Sequence, residues 1–407
     1  MAQKKAPKTK HKTRPKVRTK VRTKKRTKVR TKKRTKKSAE TLLLVGTVKG
    51  AFIFRSRDRK TWTSGGVLFP GMQVYALCHD PRSGRLLAGV SHPYFGTNVR
   101  YSDDLGKTWI EPKEANIKFP EDAGMVRSDV SATEPHKAKL DNVWQLVPGV
   151  EPNRIWAGVQ PAALFKSDDG GKTFEMVRAL WDHPHRARWN PGAGGLCLHT
   201  IVPHPTDGTK MHVAISAAGV YRTDDGGKTW AAKNNGVRVD FSPEKYPEFG
   251  QCVHKIARHP STPDRFYLQN HGGLYRSDDA GESWHDVAHG VPSDFGFSMV
   301  VHPHDPDTAF IAPLNQEMRS GPGGKLRIYK TTDGAKSWKP LTRGLAQKDA
   351  YETILRDGMA CDAGQPAGVY FGTRSGKVFA SRDEGASFAV IADGLPAVTC
   401  VKTGAPA

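Results

Sequence analysis

The stretch "YRTDDGGKTW", residues 221–230, places two aspartates, two glycines and a closing tryptophan within ten positions. An aspartate and a hydroxyl side chain can both bond backbone N–H groups of their own tight loop. Glycine takes positive φ without steric cost, and an aromatic re-entering a sheet supplies a large packing surface. The stretch therefore reads as a turn between two strands. A calcium loop is excluded, because no alternating ligand set is closed by a glutamate at the required distance.

Near-copies recur along the chain. They are Ser56–Trp62 (one residue short), Ser102–Trp109, Ser167–Phe174, Thr223–Trp230, Ser277–Trp284, Thr331–Trp338 (Ala335 replacing the glycine) and Ser381–Phe388. Their central aspartates are Asp58, Asp104, Asp169, Asp225, Asp279, Asp333 and Asp383, spaced 46 to 65 residues apart. That period suits a four-stranded repeat, and a sevenfold copy argues for a structural role over a catalytic one. Five of the nine tryptophans occupy the closing slot, which marks it as a packing position.

These turns resemble the Asp-box (BNR) repeats of the sialidase-like β-propellers, from about residue 41 to the end. The resemblance implies an all-β fold, a seven-bladed propeller, over residues 40–407. It is poor in functional content, since similar repeats occur in sialidases, xyloglucan-active glycosidases, sorting receptors and a photosystem assembly factor. The fifth repeat shows the plan: "QCVHKIARHP" as inner strand, then "DRFYLQN", "GLYRS", the turn, and "SWHDVA", with the aromatic packing against the next blade. The first repeat lacks an inner strand, whereas "AVTCVKT" (397–403) follows the seventh turn with no blade of its own. It is expected to complete blade one and close the ring, removing exposed edges.

The net charge of +23 resides in the N-terminal segment: 20 of the 63 Lys and Arg fall between Lys4 and Lys37, leaving 43 basic against 40 acidic residues. Residues 1–39 are read as a disordered tail, since dense like charge with almost no apolar side chain cannot offset ordering entropy. Such a tail either solubilises or binds nucleic acid or another polyanion non-specifically through counterion release. No aromatic residue is interleaved for base stacking. Five scattered cysteines without CxxC spacing suggest reduced thiols in a cytoplasm. Neither a usual signal peptide nor an apolar run long enough to span a membrane is recognisable.

Long connections between the outer strand of one blade and the inner strand of the next share a face with the turns joining second and third strands, and binding concentrates on such loops. The segment "WDHPHRARWNPGAGG" (181–195) reads either as an aromatic and charged platform for a sugar or carboxylate, or as a plug packed into the ring's mouth. The candidate ligand-binding set is Trp181, His183, His185, Arg186, Arg188, Trp189, His271, Arg319, Tyr351 and Arg374. Asp182, Asp240 and Glu317 are the candidate catalytic carboxylates. The resemblance to sialidases would demand three arginines, for which Arg188, Arg319 and Arg374 are available, and a Tyr nucleophile with a Glu partner, for which Tyr351 with Glu352 or Glu317 is available. The Arg-Ile-Pro motif is absent after Arg55. The pairs Cys197/His199 and Cys252/His254 each lie on one strand face, but two ligands per strand do not close a metal site, so neither metal nor cofactor is expected. Two functions follow: a glycoside hydrolase-like propeller binding a carbohydrate-like or acidic ligand, or a non-catalytic scaffold binding a protein partner and tethered by its tail to a polyanion.

Overall fold

The computed structural model describes residues 2–3, 40–127, 131 and 134–405. The reading of residues 1–39 as a disordered tail falls, apart from residues 2–3, outside that range. Seven antiparallel blades follow one another along the described chain, six of four strands and one of three, and a two-stranded ribbon, Met125–Val126 with His136–Lys137, lies between blades two and three in sequence. In the three-stranded blade two, the missing outer strand is reduced to one bridge between Tyr101 and Ile110. Inner strands lie at Gln73–His79, Asn142–Pro148, Leu198–Pro203, Val253–Ala257, Gly296–Val301 and Met359–Cys361 for blades two to seven. Each contacts its neighbours on both sides around a closed ring. Among the described residues no helix is long and apolar enough to cross a membrane.

Ring closure follows the expected route. Strand Val398–Gly404 pairs antiparallel with Thr41–Thr47, setting Val401 opposite Val45 and Cys400 opposite Gly46. The run Leu42 to Val45 is apolar throughout because both faces of this sheet are covered. Leu42 and Leu44 pack with Leu77, Leu86 and Ala88 of blade two, while Leu43 and Val45 pack with Tyr370 and Val378 of blade seven. Strand alternation thus divides one run between two neighbours. Blades approach closely where the second strand carries glycine: a Cβ at Gly89 in blade two would stand 2.6 Å from Val143 Cβ in blade three.

The quoted stretch is a turn. Asp225 Oδ1 accepts from the Thr223 hydroxyl and from the N–H groups of Lys228 and Thr229, and Oδ2 accepts from the Thr229 hydroxyl at 2.6 Å. Thr223 Oγ1 accepts in turn from the N–H of Gly227, whose φ of 91° suits a residue without a side chain. The bonds from the N–H and the hydroxyl four residues on recur at Asp104, Asp169 and, with serine as that residue, at Asp279, Asp333 and Asp383. The direction of aromatic packing differs from expectation: the ring packs on the preceding blade. Trp284 Nε1 of blade five donates to Lys233 O of blade four, Trp338 Nε1 of blade six to Val287 O of blade five, and Trp62 packs edge-on against Tyr370 of blade seven. The cause lies in the backbone, since the N–H groups of Phe174, Trp284 and Phe388 donate to Asn116, Asn235 and Arg343 in the connection leaving the previous blade.

Candidate functional site

Inner strands do not run straight past the axis. In blades two to five the ladder between first and second strands skips one residue: Tyr75, Trp144, His199 and His254. The closing strand skips Thr399, and blade six sets Phe297 and Ser298 against Ala312 alone. A bulge leaves its extra residue out of the ladder and re-aims its side chain. Tyr75, Trp144, His199, His254, Phe297 and Thr399 accordingly all line one axial cavity of about 990 Å³. Strand alternation alone cannot reveal this ring, because a bulge interrupts the period on which such reading depends.

Connections between blades complete the wall. Asn190 to Gly194, Phe241, Ala217, His271, Met318, Arg319, Thr353, Arg356 and Arg374 all border the cavity, so it opens towards the long connections and the turns between second and third strands. Arg319 holds φ at 54°, a left-handed conformation uncommon for a residue with a side chain, in the turn closed by its N–H to Asn315 O. Arg356 lies near two aromatic faces, 5.6 Å from the Trp144 ring centre and 5.4 Å from that of Phe297.

At the base sits Asp357, buried, accepting from Lys255 Nζ and, at 3.0 Å, from Lys402 Nζ. Burial alone would raise this carboxyl, but the two ammonium groups outweigh burial and hold it well below the usual range. The triad therefore contributes a net positive charge. Burial, reinforced by Arg356, also holds His199 and His254 well below the ordinary histidine range, so both rings are neutral at pH 7.

The expected site residues separate into two groups. His271, Arg319 and Arg374 border the cavity, whereas Arg188 lies 4.4 Å over the Phe249 ring outside its wall. The segment 181–195 is itself divided. Its first half is packed inward: Trp181 is buried with Nε1 donating to Ala123 O, and Trp189 is buried with Nε1 donating to Tyr221 OH. Arg186 stacks 3.4 Å over Trp181 and donates to Ala162 O, while His183 and His185 bond Trp230 O and Tyr221 OH. These side chains form the plug, and only Asn190 to Gly194 reach the cavity.

None of the three candidate carboxylates borders the cavity. Asp240 is paired with Arg238 at 2.7 Å, and Arg238 also reaches Asp294. Glu317 and Asp182 are exposed, Asp182 ending the short helix Arg178–Trp181. Tyr351 points outward at 61% exposure, while Glu352 is buried and engaged by Ser375 and Lys377, so the nucleophile pair is not assembled. Sequence reasoning missed Arg356, Trp144 and Tyr75. Nothing marks Arg356 in "YETILRDG", and the two aromatics lie on strands where a core role is the ordinary reading.

No protein-family model matches the chain. Over 143 residues, 35% of the chain, it is 31% identical to a vacuolar protein sorting/targeting protein 10 from Verticillium alfalfae. Over 301 residues, 67% of the chain, it is 23% identical to a xyloglucanase from Hypocrea jecorina. The matched regions are 9% and 31% of those proteins, so the chain spans less than a third of either relative's length. Among solved structures, the GH74 xyloglucanase from Xanthomonas campestris matches with a TM-score of 0.58 at 16% identity, over 89% of this chain and 52% of that one. Such identity speaks to architecture alone: the chain is a seven-bladed β-propeller similar in fold to a GH74 xyloglucanase.

Proposed function

We propose that the propeller binds an acidic, carbohydrate-like ligand in its axial cavity, with Arg319, Arg356 and Arg374 holding the anionic group. The supporting observation is charge. Three guanidinium groups border one cavity, none with a carboxylate partner among the described residues, and the single carboxylate in the wall, Asp357, is already paired with two lysines. Guanidinium forks suit carboxylates, and the faces of Tyr75, Trp144 and Phe297 suit a sugar ring. On this reading the seven aspartate turns are Asp-box repeats, and Arg319 and Arg374 belong to the arginine set that a sialidase-like resemblance implies, with Arg356 in place of Arg188. Hydrolysis by two facing carboxylates is not what this wall supports, since that chemistry needs a second acid across the ligand. Similarity to xyloglucanases supports the carbohydrate part of the reading.

Calorimetric titration with glucuronate and with glucose tests it. Glucuronate is expected to bind more tightly than glucose, and R356A and R319A each to weaken it by about 10- to 100-fold, the range for hydrogen bonds to charged groups. Equal affinity for the neutral sugar, or arginine variants that bind as the parent does, would overturn the reading.

A further inference from the structure

We infer that Cys252, His254 and His271 form a binding site for a soft divalent metal such as Zn²⁺ on the wall of the axial cavity. One ligand atom from each of the three lies within 4.8 Å of the other two. The topology explains how a third ligand is recruited. Cys252 and His254 are two residues apart on the inner edge of blade five, and the His271 N–H donates to Cys252 O at 2.9 Å, making Cys252 and His271 neighbours across adjacent strands. The bulge at His254 turns its ring towards the cysteine: Nε2 stands 3.6 Å from Cys252 Sγ. Two ligands sharing a tetrahedral zinc, with Zn–S near 2.3 Å and Zn–N near 2.05 Å, stand about 3.5 Å apart.

Outer contacts suit the same role. His254 Nδ1 lies 2.6 Å from Gly296 O, so that nitrogen carries the proton and Nε2 keeps its lone pair for a metal. Gln316 Nε2 stands 2.9 Å from His271 Nε2; with that amide turned to present its oxygen to Nε2–H, Nδ1 of His271 keeps its lone pair for a metal. Burial raises the Cys252 thiol despite the opposing pull of Arg356, so the thiolate that ligates forms as the metal displaces the proton. A zinc with one thiolate and two neutral imidazoles keeps a net charge of +1 and an open fourth position facing the cavity.

Blade four provides an internal contrast. Its Cys197 and His199 repeat the spacing, but the residue whose N–H bonds Cys197 O is Ser216, where blade five has His271. Both His199 nitrogens are also engaged, by Thr200 Oγ1 and by Val253 O. Blade four therefore offers no second imidazole and no free lone pair. Metal binding at blade five needs no acidic ligand, so it stands or falls separately from the function proposed above.

The test uses the full chain without added ligand. Co²⁺ titration is expected to give a thiolate-to-cobalt charge-transfer band and tetrahedral d–d bands saturating at one equivalent, with Zn²⁺ displacing the cobalt. C252S should abolish the charge-transfer band, and H271A, at a partly exposed position, should weaken affinity by at least 10-fold while leaving the thermal melt of the metal-free protein in place. C197S should change neither. Absence of the bands, or identical titrations for parent, C252S and H271A, would show that the 3.6 Å contact is only an S–H···N hydrogen bond and would overturn the assignment.

Discussion

The Asp104, Asp225 and Asp333 carboxylates are held at about 2, Asp104 mainly by the N–H and hydroxyl of Thr108, the other two first by the hydroxyls of Thr229 and Ser337. The folded value lies below the ordinary aspartate pKa of about 3.9, so the contribution of these turns is complete above that pH and is lost as pH falls towards 2. Urea midpoints between pH 6 and pH 2 should therefore decline across this window, and a D104N/D225N/D333N variant, less stable at pH 7, should decline less. A parallel decline in both proteins would remove these carboxylates as the cause. At this scale, what could be read from sequence was chemistry confined to a few consecutive residues. The turn was legible because each of its bonds is made within eight positions. Arg356 was not, because its role depends on Trp144 and Phe297, which lie on other blades.

Sheet elements obey two local rules, one legible and one hidden. The order of strands within blade five followed from short apolar runs punctuated by Gly, Pro and Asp. The bulges were hidden, since Tyr75 or His199 in an inner strand gives no sign of being the residue left out of the ladder. Close packing between elements yields a prediction at Gly89, where an added methyl would meet Val143 Cβ at 2.6 Å. Because that neighbour is itself a β-branched side chain in a buried strand, G89A should destabilise by about 1–3 kcal/mol, the cost of overpacking, measured by urea unfolding. An unchanged midpoint would show that blades two and three can move apart freely. Asp357 supports a larger expectation. D357N leaves the buried Lys255 and the half-buried Lys402 without their anion, and removing one partner from a buried pair costs about 3–5 kcal/mol. Denaturation of D357N beside D357N/K402M distinguishes this from simple loss of packing: the double variant should recover part of the loss.

For the ring of residues 40–405, stability depends on a strand from one end of the sequence completing the sheet begun at the other. Removing residues 397–407 should leave Thr41–Thr47 with an unpaired edge and should expose the lower cavity wall at Thr399. The expected result is aggregation on size-exclusion chromatography and loss of a single cooperative thermal transition. A monomeric product melting as the parent does would mean that the ring holds without its closing strand. Spacing made the sevenfold four-stranded repeat readable, and the resemblance to Asp-box propellers implied the ring. The axial cavity was not readable, because its wall is assembled from single residues contributed by different blades.

The bulges along the axis have a further effect. A residue outside the ladder can be exchanged without disturbing strand register, and the positions already hold tyrosine, tryptophan, histidine, phenylalanine and threonine on nearly the same backbone. The molecule thereby separates scaffold from specificity: its rim of sheets stays constant while the central sockets can be refitted one at a time, so related rings with quite different appetites are reachable by single exchanges.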